Sequence, residues 1–106
     1  MKTWLITGCS SGIGKGIATA VLEKGDQAII TARDTTKLND FIEKYKDQVL
    51  ALSLEMSDIH SIKEVIKKSY EHFGQIDVLV NNAGQGMRGA IEEVEDEMIL
   101  NLFQTN

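Results

Sequence analysis

Hydrophobic residues along this chain alternate between short continuous runs and stripes with helical spacing. Residues 4–7 form the first short run, and from residue 12 to residue 24 the apolar positions recur every three or four residues. A short run with β-branched residues predicts a strand, whereas a stripe with this spacing predicts an amphipathic helix. The repeated alternation therefore predicts β-α-β units, in which helices cover both faces of a parallel sheet.

Four strands and four helices are predicted in this way. Gly25 follows the first helix, Asp34 is placed to cap the second, and Gly74 closes the third. No internal repeat, low-complexity segment or linker interrupts the pattern, so we expect one doubly wound α/β domain. The predicted strands are 4–7, 27–32, 49–54 and 76–80; the predicted helices are 12–24, the segment after Asp34, 59–73, and a segment that starts in the acidic stretch 92–97 after a loop at 81–89.

The composition excludes several classes of protein. Of the 106 residues, 42% are hydrophobic and 25% are charged, which is typical of a globular chain and not of a disordered or fibrous one. The formal net charge of −5 has the wrong sign for a general nucleic-acid binder. No apolar run approaches the length of a membrane span and no signal peptide fits the start, so we expect a cytoplasmic protein with no membrane partner.

Few groups in the sequence suit a metal site or a disulfide. Cys9 is the single cysteine, which excludes a disulfide framework and a cysteine-based zinc site. His60 and His72 have no second ligand at metal-binding spacing, so we expect no metal. The acidic stretch 92–97 allows two interpretations, a cation site or carboxylates that complement a helix dipole, and we favour the second.

Three glycines lie between the first predicted strand and the first predicted helix. Residues 7–14 read Thr-Gly-Cys-Ser-Ser-Gly-Ile-Gly, a Gly-x-x-x-Gly-x-Gly spacing that matches neither the Walker loop nor the Gly-x-Gly-x-x-Gly fingerprint. A loop at this place predicts phosphate binding, because helix amides and the helix dipole attract a pyrophosphate and glycine lets it approach the backbone. The candidate cofactor-binding residues here are Gly8, Ser10, Ser11, Gly12, Ile13 and Gly14.

This spacing resembles the cofactor motif of the short-chain dehydrogenase/reductase family. A second motif, Asn-Asn-Ala-Gly at 81–84, follows the fourth predicted strand and resembles a motif of the same family at a similar distance. The resemblance covers the whole chain and implies a Rossmann-like, doubly wound parallel sheet. Residues 1–106 would then be the N-terminal part of a single NAD(P)-binding domain, truncated after about four strands.

The residues of the second motif allow two interpretations. On their own they predict equally well a turn stabilised by asparagine side chains and a loop of small residues that a ligand can approach. The resemblance implies the second, with Asn82, Ala83 and Gly84 against the ribose and nicotinamide side of the cofactor.

The choice between NADP(H) and NAD(H) depends on the end of the second strand. In dinucleotide folds an acidic residue about 20 positions beyond the glycine motif binds the ribose diol of NAD, whereas an arginine accommodates the 2′-phosphate of NADP. Arg33 lies nineteen residues beyond Gly14. Asp34 competes as an NAD selector, although we favour it as a helix cap. The resemblance implies that Ser11 helps to seat the same phosphate, so NADP(H) is favoured and NAD(H) is the alternative.

At the end of the third strand the sequence departs from the family. The family usually has an aspartate that meets the adenine amino group, and Glu55 stands in its place. Glutamate keeps the acceptor but is one methylene longer, so the adenine is shifted or the hydrogen bond is lost. Met56 follows, where the family often has a β-branched residue against the adenine, and a methionine can fill the same space.

The resemblance implies hydride transfer between a nicotinamide and a carbonyl or alcohol, carried out by a serine, a tyrosine and a lysine. Neither Tyr45 nor Tyr70 has a lysine four residues later, so the sequence contains no Tyr-x-x-x-Lys. Asn106 lies twenty-four residues after Asn82, similar to the family spacing of the asparagine that organises water toward the catalytic lysine. We therefore expect the cofactor half of an enzyme, inactive alone and a homo-oligomer when complete; the alternative is a non-catalytic dinucleotide-binding or interaction module.

One expectation concerns the edge of the sheet. In the strand order usual for this fold, three-two-one-four, the fourth strand is an exposed apolar edge. Such an edge invites pairing with other chains, so poor solubility or oligomers are expected of this chain on its own.

Overall fold

The computed structural model describes residues 1–82 and the backbone of a strand at 90–93. Strands and helices alternate as the hydrophobic pattern predicts. Short 3-10 helices lie at Thr35–Leu38 and Lys46–Gln48. The strands are β1 (Thr3–Ile6), β2 (Gln27–Ala32), β3 (Val49–Ser53), β4 (Val78–Asn81) and β5 (Ala90–Glu93), and the α-helices are α1 (Gly12–Glu23), α2 (Asn39–Tyr45) and α3 (Ile59–Phe73).

These strands form one sheet in the order β3-β2-β1-β4-β5, and the first four are parallel. In the register of the sheet, Leu5 on central β1 lies beside Ile29 on β2 and Leu79 on β4. The predicted Rossmann-like sheet and its three-two-one-four order are confirmed. Neighbouring parallel strands run in the same direction, so their carboxyl ends lie side by side. The segments that follow β1, β2, β3 and β4 therefore meet at this carboxyl edge of the sheet.

Alternate residues of the strands enter two separate cores. Ile6 and Ile30 pack on one face with Leu22 of α1 and Phe41 of α2. On the other face, Ile62 and Val65 of α3 pack in a second core with strand residues that include Leu5, Ile29 and Leu79. Burial on both faces explains why these strands are continuous apolar runs.

The predicted exposed edge at the fourth strand is wrong. β5 pairs with β4 in the antiparallel direction, with Val78 opposite Glu93 and Asn81 opposite Ala90. β5 therefore supplies hydrogen-bond partners along the edge of β4, which would otherwise present an unpaired row of backbone groups. The expected poor solubility and oligomers lose this physical basis and remain untested.

The same strand corrects the predicted fourth helix. Glu92 and Glu93 belong to β5 and do not begin a helix. The remainder of that predicted helix, from residue 94 to Asn106, lies outside the described residues. Asn81 is also placed differently, because it is the last residue of β4 and not the first of the loop.

Predicted helix ends are confirmed at α3 and modified at α2. Gly74 closes α3 in the left-handed conformation, with φ of 78°, and its N–H donates to the Tyr70 carbonyl at 2.9 Å. Asp34 is a cap as predicted, but its carboxylate accepts the Thr36 N–H at 3.0 Å and so initiates a tight 3-10 turn. α2 begins only at Asn39, so the single predicted helix is divided in two.

Asp26 holds together the amino end of the sheet, opposite the edge described below. Its carboxylate accepts the Lys2 amide at 3.2 Å and the Trp4 indole N–H at 3.0 Å, and it pairs with Lys24 at 3.2 Å. Burial raises the pKa of Asp26, but the hydrogen bonds from Trp4 and Lys2 and the Lys24 charge outweigh it and leave the pKa below its ordinary value.

Candidate cofactor site

A pocket of about 410 Å³ opens where β1, β2 and β3 end. Carboxyl ends of strands in an open α/β sheet are where such folds bind ligands, because loops of adjacent strands diverge there. The wall carries both polar and charged groups. Six of the residues that line it are Gly8, Ser10, Arg33, Asp34, Lys37 and Met56.

The glycine loop between β1 and α1 is anchored to the strands on both sides. The Thr7 N–H donates to the Val80 carbonyl at 3.0 Å, and the Cys9 N–H donates to the Thr31 carbonyl at 2.8 Å. Gly8 and Gly12 have φ of 68° and 62°, in the left-handed region that residues with a Cβ rarely adopt. The chain therefore needs glycine at these two positions to turn sharply into α1.

The start of α1 presents a positive electrostatic field to this edge. Ser11 is its N-cap residue, with an extended backbone and no side-chain hydrogen bond to the helix, and the first turn contains no acidic residue. The first amides of a helix together with its dipole attract anions. Ser11, Gly12 and Ile13 are all exposed, and Ile13 is 45% exposed.

Gly14 lies where α1 presses on the glycine loop. A Cβ on Gly14 would come within 2.1 Å of the Gly8 carbonyl oxygen and 2.8 Å of the Asn82 Nδ2. The same Nδ2 donates to the Gly8 carbonyl oxygen at 3.2 Å. Gly14, Gly8 and Asn82 therefore form one close-packed unit that fixes the loop against the helix.

The two asparagines at the end of strand β4 are buried and point to the glycine loop. Asn81 is 1% exposed and its Oδ1 accepts the Thr7 hydroxyl at 3.4 Å, while Asn82 is 8% exposed. The interpretation of a turn stabilised by its own side chains does not describe Asn82, which reaches across to Gly8. Asn81 Nδ2 and Asn82 Oδ1 have no partner within the described part of the chain.

The end of β2 places a cation at the rim of the pocket. The Arg33 side chain is 82% exposed and its Nε lies 3.3 Å from the Glu55 Oε2. Asp34 beside it caps the turn that follows, because one of its carboxylate oxygens, Oδ1, accepts both the N–H and the hydroxyl of Thr36. These hydrogen bonds hold the pKa of Asp34 below its ordinary value.

Glu55 and Met56, at the end of β3, have different surroundings. Met56 lines the pocket. The Glu55 carboxylate is shared between two partners: Oε1 accepts the Ser57 hydroxyl at 3.1 Å, and Oε2 pairs with Arg33. The backbone N–H of Glu55 donates to the Ser61 hydroxyl at 2.9 Å.

Lys37 also lines the pocket and was not singled out in the sequence. A lysine in a predicted helix is ordinarily a solvated surface residue, so its type carries no signal. Its position does, because Lys37 follows the strand-end Arg33 by four residues and lies in the turn that Asp34 caps. Two cations therefore border the same pocket.

Cys9 is buried within the glycine loop and contributes no charge. Burial raises the pKa of the Cys9 thiol to about 12, so the thiol stays neutral at physiological pH. The thiol donates to the Ile6 carbonyl at 3.2 Å, which is consistent with a packing role.

The predicted site residues divide into four groups in the structure. The pocket is lined by Gly8, Ser10, Arg33 and Met56. The exposed part of the loop contains Ser11, Gly12 and Ile13; beneath or beside the pocket are Gly14, Asn82 and Glu55; and Ala83, Gly84 and Asn106 lie outside the described residues.

The family model described as short chain dehydrogenase matches residues 2–106. This chain belongs to the short-chain dehydrogenase family. Oxidoreductase BOA17 of Botryotinia fuckeliana is 39% identical over 95 residues, which cover 89% of this chain and 35% of the relative. The chain thus spans about a third of the length of this relative.

Solved structures of similar proteins show the same fold. A short-chain dehydrogenase from Streptomyces avermitilis superposes with a TM-score of 0.75 at 44% identity, over 77% of this chain and 31% of that one. A Brucella melitensis 3-ketoacyl-(acyl-carrier-protein) reductase, solved with NADH, gives 0.72 at 31% identity over 76% and 33%. An alcohol dehydrogenase from Thermococcus sibiricus, solved with 5-hydroxy-NADP, gives 0.68 at 34% identity over 74% and 35%.

Two features are absent from the described residues. These residues contain no group of three or more histidine, cysteine or acidic side chains that would hold a metal ion. Within the same residues, no helix has the length and apolar character needed to cross a membrane.

Proposed function

We propose that this chain is the cofactor-binding part of an NADP(H)-dependent oxidoreductase that acts on a carbonyl or alcohol group. The observation that carries the proposal is the pocket at the carboxyl edge of the sheet, which Arg33 and Lys37 border beside a glycine loop and the start of a helix. The neighbours solved with NADH and with 5-hydroxy-NADP support a nicotinamide dinucleotide as the ligand class.

The described residues suit the pyrophosphate and the adenine of such a ligand. The amides at the start of α1 suit the pyrophosphate, and Gly8 and Gly12 leave it room to approach the backbone. Met56 offers an apolar surface for the adenine. Asn81 Nδ2 and Asn82 Oδ1, which have no partner among the described residues, belong to the two residues that precede 83–84 in the sequence, a segment that we assign to the ribose and nicotinamide side.

NADP(H) is favoured over NAD(H) by the charges at the rim. A 2′-phosphate meets an arginine with a two-pronged hydrogen bond, and Lys37 adds a second positive charge. Asp34, the competing acidic residue for NAD(H), uses one carboxylate oxygen, Oδ1, to accept the N–H and the hydroxyl of Thr36. NAD(H) remains the alternative because Asp34 borders the same pocket.

When bound, the nicotinamide would supply or accept the hydride, and this chain would hold and orient the cofactor. The catalytic serine and the Tyr-x-x-x-Lys are not in this sequence, so we propose that these 106 residues bind the cofactor without turning over substrate. Asn106 would organise water toward the catalytic lysine. A cytoplasmic homo-oligomer is the proposed form of the complete enzyme. An assay of NADPH-dependent carbonyl reduction by the full-length protein distinguishes the proposed oxidoreductase from the alternative. A non-catalytic binding module would bind NADPH and reduce no carbonyl.

The cofactor assignment is tested by replacing Arg33. We expect Arg33→Gln in the full-length protein to weaken NADPH binding about tenfold to a hundredfold, since a hydrogen bond to a charged group contributes about 1.5–3 kcal/mol. NADH binding should change less than about twofold, because NADH has no 2′-phosphate. Titrations that follow the fluorescence of each reduced dinucleotide give both dissociation constants.

Lys67→Gln is the matched control, because Lys67 is an exposed cation on α3 and the substitution makes the same charge change away from the pocket. An Arg33→Gln variant that loses both dinucleotides equally, or neither, would contradict the assignment.

A further inference from the structure

An ion pair joins the end of β2 to the end of β3 at the rim of the pocket. In the sheet, Ala32 lies beside Ser53, so the residues that follow each strand emerge close together. The Ser53 hydroxyl donates to the Arg33 carbonyl at 3.0 Å, and the Arg33 Nε lies 3.3 Å from the Glu55 Oε2. A carboxylate therefore already occupies one side of the guanidinium proposed to meet the 2′-phosphate.

The Glu55 carboxylate is held in place from its other oxygen. Oε1 accepts the Ser57 hydroxyl at 3.1 Å and the Ser57 N–H at 3.4 Å. The Arg33 Nε lies beside Oε2, and the guanidinium has two further nitrogens that can donate to a phosphate. A phosphate bound there would lie within a Debye length of Glu55, about 8 Å at physiological salt, and the two anions would repel.

Two effects of Glu55 on Arg33 oppose one another. The pair orders the guanidinium, which favours binding, and its negative charge repels the phosphate, which disfavours it. The Arg33 side chain is 82% exposed and that of Glu55 is 44% exposed. An exposed pair of this kind orders its side chains weakly. The repulsion acts whether or not the pair is well ordered, so it dominates.

We propose that Glu55 determines the strength of coenzyme discrimination, because its negative charge repels the 2′-phosphate that Arg33 would bind. The inference rests on the proposed function and deepens it. Glu55 limits the preference for NADPH over NADH and leaves the protein able to bind both. This role differs from the one expected from the sequence, in which Glu55 accepts a hydrogen bond from the adenine amino group.

Glu55→Gln in the full-length protein tests the proposal, because it removes the charge and keeps the shape and an acceptor oxygen for Ser57. We expect NADPH to bind about three- to tenfold more tightly at low ionic strength, with NADH changed less than about twofold. The gain should shrink in about 0.5 M NaCl, where charges are screened. The gain should persist in an Arg33→Gln background, because the repulsion between the Glu55 carboxylate and the phosphate does not require the guanidinium.

Two further variants serve as controls. Glu55→Asp retains the charge and should leave the ratio of the two dissociation constants within about twofold of the parent. Glu64→Gln removes an exposed carboxylate on α3, which pairs with Lys68 at 3.9 Å, and should leave both constants unchanged. Circular dichroism of each variant shows whether the fold is kept.

Three outcomes would overturn the inference. Weaker binding of NADPH alone would mean that Glu55 positions Arg33 favourably, an equal change for both coenzymes would indicate an adenine contact, and no change would show that the pair is irrelevant. The proposed function fails separately: if Arg33→Gln leaves NADPH binding intact, the cofactor assignment is wrong whatever Glu55 does. If Arg33 matters and Glu55→Gln has no effect, only the inference is wrong.

Discussion

Gly14→Ala tests the close contact on which the glycine loop depends. A Cβ at this position would lie 2.1 Å from the Gly8 carbonyl oxygen and 2.9 Å from the Gly8 carbonyl carbon, both backbone atoms. Backbone cannot rotate away as a flexible side chain does, so α1 must move off the loop. That movement would also stretch the hydrogen bond from Asn82 to Gly8, now 3.2 Å long.

Three terms set the expected magnitude. Overpacking of a well-packed interior costs about 1–3 kcal/mol, and the upper end applies because the obstacle is backbone. A weakened hydrogen bond adds about 1 kcal/mol. Alanine gains about 1 kcal/mol over glycine inside a helix, which offsets part of the loss. The free energy of unfolding should fall by about 3 kcal/mol, a large share of the 5–15 kcal/mol typical of a domain.

Gly16→Ala is the matched control in the same helix. A Cβ on Gly16 meets nothing within 4 Å, so alanine there should raise the free energy of unfolding by about 0.5–1 kcal/mol. Urea unfolding followed by the fluorescence of Trp4, the single tryptophan, measures both variants. Gly14→Ala should lower the midpoint by about 1–3 M, for slopes of about 1–3 kcal/mol/M. Similar shifts for the two variants would refute the close contact.

Two further predictions concern Asn82 and Asp26. Asn82→Ala should lower the free energy of unfolding by about 1–2 kcal/mol, because the hydrogen bond to the Gly8 carbonyl is lost. Asn82→Asp should lower it further, because a buried carboxylate has no N–H for that carbonyl and its charge is desolvated. Urea unfolding at pH 7 compares the two variants, and equal losses would contradict the contact. The folded pKa of Asp26 lies below its ordinary value of 3.8, so its stabilisation is present above that value and lost as the pH falls through the folded pKa. In Asp26→Asn, the free energy of unfolding should therefore change less with pH between about pH 5 and 2.5 than it does in the parent protein. An unchanged pH profile would exclude a stabilising role for the Asp26 carboxylate.

Local signals in the sequence predicted most of the parallel sheet and the ends of several elements. β2 and α3 have the predicted bounds, because a β-branched run and a helical stripe closed by Gly74 are determined by neighbouring residues. The strand order followed from the Rossmann-like interpretation. Asp34 was predicted as a cap, but its short side chain bonds two residues ahead and initiates a 3-10 turn, which a cap preference does not reveal.

β5 was missed for a physical reason. Its sequence, Ala-Ile-Glu-Glu, is followed by more acidic residues, and acidic residues are typical of the first turn of a helix. What decides the strand is the edge of β4, which carries backbone groups in need of partners. The need to pair these backbone groups depends on the assembled sheet, so the pattern of neighbouring residues does not indicate it.

The candidate site was predicted as a set of residues and not as a set of contacts. Arg33 and Glu55 are separated by 22 positions, and only the register of β2 against β3 brings them together. Asn82 and Gly8 meet across 74 positions because β1 and β4 are neighbours. Motifs named the participants, but the choice of partner depends on strand register and side-chain geometry, which the motifs do not specify.

A crystal structure of the full-length protein with NADP+ tests the central claim most directly. We expect the pyrophosphate to lie against the backbone amides at the start of α1, and the 2′-phosphate to lie within hydrogen-bond distance of the Arg33 guanidinium. A dinucleotide bound elsewhere, or one whose adenosine points away from the end of β2, would contradict it.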